Sequence, residues 1–131
     1  MRINVTSVLV DDQTKALKFY TEILGFVLKV DVPLGGEHRW LTVVSPEAQA
    51  GTELLLEPMG FAPSRVYQKA LFDAGIPLTS FGVDDCQAEY ERMLKLGVVF
   101  RGKPTPMGPV VIVRFEDTCG NLIQMVQLVQ A

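Results

Sequence analysis

Apolar and polar positions along the chain change period in the same order twice. Val5-Thr6-Ser7-Val8-Leu9-Val10 is a β-rich run that ends in Asp11-Asp12. Ala16, Leu17, Tyr20, Ile23 and Leu24 then recur at the i, i+1, i+4, i+7, i+8 spacing of one helix face, and Gly25 supplies a left-handed C-terminal residue. Three strand-like runs follow: Phe26 to Val32, Arg39 to Ser45 and Thr52 to Glu57, separated by Gly35-Gly36, Ser45-Pro46 and Ala50-Gly51. The second pass starts at Leu78 and reaches Asp84-Asp85. A shorter stripe of Tyr90, Met93 and Leu94 is closed by Gly97. Its strand-like runs are Val98 to Arg101, Val110 to Glu116 and Asn121 to Leu128, with Pro104, Pro106, Gly108 and Cys119-Gly120-Asn121 as punctuation.

The two passes share letters as well as periods. Thr6-Ser7-x-x-Val10-Asp11-Asp12 reappears as Thr79-Ser80-x-x-Val83-Asp84-Asp85, and both copies run on to Leu-Gly, at Leu24-Gly25 and Leu96-Gly97. Asp12 and Asp85 each stand where a carboxylate can accept the first free N–H groups of a helix. The expected class is therefore α+β, built from a first βαβββ module over 3–60, a linker helix over 61–76 and a second module over 77–131. Within the linker, Ser64 is the candidate N-cap, Val66, Tyr67, Ala70 and Leu71 form the stripe, and Gly75 ends it. That segment reads as a connector or as a flap.

Composition narrows the function classes. A chain of 131 residues, 48% apolar, suffices for one domain with a sizeable core. No apolar run approaches the twenty or so residues that span a bilayer, and the N-terminus lacks signal-peptide features, so the expectation is a cytoplasmic protein without a membrane partner. A net charge of −3 without a Lys/Arg cluster offers no footprint for nucleic acid. Cys86 and Cys119 read as two free thiols.

The residues Val10-Asp11-Asp12, Ala16-Leu17-x-Phe19-Tyr20-Thr21-Glu22-x-Leu24-Gly25-Phe26, Gly51-x-Glu53-Leu54 and Phe115-x-Asp117-x-x-Gly120-Asn121 resemble the motifs of the vicinal-oxygen-chelate superfamily, which holds glyoxalases, bleomycin-resistance proteins and extradiol dioxygenases. The resemblance covers essentially the whole chain. It implies an open eight-stranded cup with helices outside and a ligand site inside. In metal-dependent members, ligands stand on the first and last strands of each module. The matching positions here are Val5, Leu54, Leu78 and Gln124, three of them aliphatic, while a first-row metal needs three or four N, O or S donors. No metal and no cofactor are expected. The basic residue that glutathione-using relatives carry near the end of the first strand is Leu9.

If Val5 and Leu78 mark the inner face, alternation adds Ser7, Leu9, Ser80 and Gly82, with Gln124 between Leu122 and Val126. The segment Gly35-Gly36-Glu37-His38-Arg39-Trp40 gathers the one His and the one Trp of the chain beside an Arg. It reads equally as a ligand border or as a subunit contact. Arg114 faces the same choice. His38 reads as a solvated loop residue, Cys119 as a turn residue and Glu57 as a weak candidate base. The expectation is a metal-independent small-molecule-binding protein with a partly apolar ligand held by Ser7, Arg39, Trp40, Ser80 and Gln124, and a homodimer. The alternative is a metal-dependent lyase, isomerase or dioxygenase of the same superfamily.

Overall fold

The computed structural model describes residues 1–129. Among them are two four-stranded sheets and three α-helices, an α+β arrangement. The chain divides into two compact units, Met1–Val66 and a second that begins at Tyr67.

In the first unit, β1 (Val5–Val10) leads into α1 (Gln13–Lys18), followed by β2 (Val27–Pro33), β3 (Arg39–Val44) and β4 (Glu53–Pro58). The sheet order is β1-β4-β3-β2, with β1 parallel to β4 and the other pairs antiparallel. Asp12 caps α1 by accepting Lys15 N–H at 3.0 Å. After Lys18 the helix widens into a π turn over Phe19–Ile23, where Leu24 N–H reaches Phe19 O. This widening moves the buried stripe: Ala16, Phe19 and Tyr20 are buried, while Ile23 and Leu24 of the expected stripe are only half-buried. Beneath α1, the side chains of Val8, Val10, Leu41, Val43 and Leu56 form the core. Gln13 fastens the helix to the sheet. Its Nε2 donates to Arg39 O at 2.7 Å and Leu56 O at 2.8 Å, and its Oε1 accepts Arg39 N–H at 3.0 Å.

The second unit repeats the plan with β5 (Thr79–Gly82), α3 (Cys86–Lys95), β6 (Thr105–Met107), β7 (Val110–Glu116) and β8 (Leu122–Leu128), in sheet order β5-β8-β7-β6. Asp85 caps α3 through Ala88 N–H at 3.0 Å. Cys86 and Met93 are buried, Leu94 is exposed, and Tyr90 meets Phe100 edge-on at 4.6 Å. The β7–β8 turn is tied by Asp117, whose carboxylate accepts Cys119 N–H, Asn121 N–H and Asn121 Nδ2–H at 2.8, 3.0 and 2.7 Å. Cys119 is a buried turn residue, and neither cysteine is in a disulfide.

Two expected elements differ. Val98 to Arg101 is not a strand: it makes an isolated bridge, Phe100 to Phe115, with Arg101 N–H bonded to Arg114 O. Gly102, at φ 110°, then breaks the run, and pairing resumes as β6 around Pro106. A proline is tolerated there because β6 is an edge strand with a side that needs no donor. The linker helix α2 (Ala62–Ala74) crosses from the first unit into the second, starts before Ser64 and turns Gln68 inward, leaving Val66 and Tyr67 exposed. The Gln68 amide repays this by donating to Cys119 O and Asn121 Oδ1.

Candidate functional site

Each sheet has one face packed by its helix and a far face. In the first unit the ladder registers put Val5, Ser7 and Leu9 with Glu53, Leu55 and Glu57 on the far face, joined by Trp40 and Thr42 from β3. Leu54 and Leu56 lie on the helix face. The position that shares Val5's face is therefore Leu55 or Glu53, one residue from the expected Leu54. At the rim, Trp40 is 36% exposed beside its Cα partner Val32. Thr42 is fully buried and donates to Glu53 Oε1 at 2.7 Å.

Arg39 and Trp40 are neighbours on a strand, so alternation sends them to opposite faces. The Arg39 guanidinium sits on the helix side, donating from Nε to Asp31 at 3.0 Å and from Nη1 to Thr14 Oγ1 at 3.0 Å. There it borders a cleft of about 300 Å³, lined in part by Asp12, Glu37, His38 and Arg65. His38 is exposed, and its ring packs so closely on Gly60 that a Cβ there would lie 3.0 Å from its Cε1. The five expected ligand residues thus divide: Ser7 and Trp40 share one far face, Arg39 belongs to the cleft, and Ser80 and Gln124 share the far face of the second sheet.

That second far face carries a row of Cα partners across three strands, Ser80 on β5, Gln124 on β8 and Arg114 on β7. Gln124 Nε2 approaches Ser80 Oγ at 3.4 Å. Arg114 donates from Nη1 to Gly75 O at 3.3 Å, and its Nε is buried without a hydrogen-bond partner. Around the row stand Val126, Ile112 and Gly82. Sequence reasoning left Arg114 open between surface and site; its register with Gln124 was the missing signal.

A divalent metal does not fit this donor set. Among the described residues, no three His, Cys, Asp or Glu side chains converge. The far-face positions that the fold would use offer the Glu53 carboxylate in one unit and the Gln124 amide in the other, against Val5, Leu55 and Leu78. Nor is any helix among the described residues long and apolar enough to cross a membrane.

Paired βαβββ sheets with this connectivity define the fold class. The chain matches the model of the Glyoxalase/Bleomycin resistance protein/Dioxygenase superfamily over residues 2–125 and belongs to that superfamily. It is 57% identical over 127 residues to the uncharacterized protein YurT of Bacillus subtilis (strain 168), covering 97% of this chain and 99% of YurT. Among solved structures it is similar to UcmS2, with a TM-score of 0.82 and 28% identity over 96% of this chain and 97% of that one. It is also similar to TnmS3, an antibiotic binding protein from Streptomyces sp. CB03234, with a TM-score of 0.77 and 31% identity over 98% and 96% of the two chains.

Proposed function

We propose that this protein binds a small, partly apolar molecule without the help of a metal, acting as a cytoplasmic homodimer. The observation that carries the reading is the make-up of the far faces: aliphatic side chains, some buried (Val44, Leu55, Leu122) and some half-exposed (Val5, Leu9, Ile112, Val126), and one indole, interrupted by a few hydroxyl, amide and guanidinium groups. Such surfaces hold a ligand by apolar area and orient it with a few polar contacts. The likeness to an antibiotic binding protein at 31% identity supports the same reading. On the first sheet Ser7 and Trp40 are the proposed ligand contacts, and on the second sheet, taken by itself, Ser80 and Gln124 are. Arg39, on the opposite face of the first sheet and engaged with Thr14 and Asp31, would serve only a ligand in the helix-side cleft.

The test is direct. Purified protein is titrated with a panel of aromatic and aliphatic compounds while Trp40 emission, native mass and thermal midpoint are followed, and its metal content is measured. Saturable binding, retained in EDTA and with far less than one metal per chain, is expected. The rival, a metal-dependent lyase, isomerase or dioxygenase, requires about one bound metal per chain and loss of stability on chelation.

A further inference from the structure

The two sheets are built on one plan, so their far faces can be compared position by position. Ser7, Leu55 and Thr42 form a row of Cα partners in the first unit, and Ser80, Gln124 and Arg114 form the equivalent row in the second. In the first row the polar end is satisfied from within: Thr42 donates to the carboxylate of Glu53, two residues before Leu55 on β4. The matching position two residues before Gln124 is Leu122. The second row has therefore gained a cation and has an aliphatic residue where the first has its carboxylate.

Arg114 shows the consequence. Its bond to Gly75 O is long at 3.3 Å, and Nε is buried with no acceptor. Glu116, two residues along β7, has its carboxylate engaged by Arg101 at 3.1 Å. A buried N–H of a cation left without an acceptor is costly, and a guanidinium is matched by a carboxylate, which accepts two of its donors in parallel. Across the row, about two strand spacings or roughly 9–10 Å away, the Ser80 hydroxyl is a further donor, and the Gln124 amide lies between them. The aliphatic neighbours Ile112 and Val126 leave the same face suited to a flat apolar body.

We infer that the far face of the second sheet is an anion-recognising subsite, in which Arg114 turns from Gly75 O to take the carboxylate of an otherwise apolar ligand, with the Gln124 amide beside it and Ser80 placed to bond a further polar group where a ligand carries one. This rests on the small-molecule-binding reading and adds the ligand's class: an aromatic or aliphatic acid rather than a neutral compound.

Calorimetric titrations with naphthalene-2-carboxylate and naphthalene-2-carboxamide test it, because the two probes differ in charge and hardly in shape. The wild-type protein should bind the carboxylate at least tenfold more tightly at low salt, with the preference shrinking as salt is added. Arg114→Gln should bring the two probes to equal affinity. Gln124→Glu, which places an internal carboxylate beside Arg114 without removing the cation, should also abolish the preference, and it guards against misfolding of the first variant. If the wild type binds both probes equally, or either variant keeps the preference, the subsite is wrong and the binding reading stands. If neither probe binds, the binding reading fails and the subsite with it.

Discussion

Trp40 is placed so that one side chain reports on a whole surface. It is the one indole of the chain and stands on the far face of the first sheet, next to Val32 and partly exposed. If ligand covers it, emission should shift on binding, and Trp40→Ala should weaken the ligand by about 1–3 kcal/mol, as truncating an aromatic anchor does. Equal binding by wild type and variant, with unchanged emission, would assign Trp40 to a subunit contact. Cys86 makes a different prediction. Burial, with Asp85 beside it, pushes its thiol above the ordinary value of 9.0. An acid whose pKa rises on folding holds its proton more tightly in the native chain. Its contribution is intact below pH 9.0 and is lost as pH climbs from there through the raised native value. Urea titrations should therefore show stability falling above pH 9.0, and Cys86→Ala should make that fall shallower.

At the scale of elements, glutamine side chains tie helices to strands in both units. Gln13 makes three hydrogen bonds to the backbones of β3 and β4, so Gln13→Ala removes a partner from two carbonyls and one N–H in a site only 8% exposed. A loss of about 2–4 kcal/mol in denaturant unfolding is expected, against near-neutrality for a change at exposed Lys18. These ties were invisible in the sequence, since a glutamine inside a helical stripe looks like a solvated position. What was legible came from local physics: Asp12 and Asp85 cap helices through their own side chains, and strand alternation put Ser7 with Val5, while the family resemblance was needed to set Ser80 and Gln124 on one face. The misplaced elements depended on contacts far along the chain. Pro106 reads as a turn residue until it is known to lie on an edge, and Val66 and Tyr67 read as a buried stripe until Gln68 is seen to bond Cys119 and Asn121. Alternation already held the split between Arg39 and Trp40, but their shared segment had suggested one site.

For the whole molecule, the expected dimer follows from apolar surface that each unit leaves in water. On the first, Val32 and Trp40 are Cα partners at 46% and 36% exposure. On the second, Met107, Val110 and Leu128 form a row across β6, β7 and β8, with Met107 and Leu128 at 56% and 79% exposure. Each row reaches an edge strand, β2 or β6, and both unpaired strand edges and exposed hydrophobic area invite association. A second copy is a suitable cover: it brings the same rows, and a net charge of −3 per chain sets up little repulsion. Light scattering should then give twice the 14.5 kDa chain mass at micromolar concentration. Leu128→Glu combined with Met107→Glu should shift the mass toward one chain, because burying either carboxylate in a symmetric contact costs more than the apolar row returns. The far-ultraviolet spectrum should stay the same, since both side chains are exposed within their own unit. A wild-type mass of one chain across that range would mean that these rows are left to ligand or solvent.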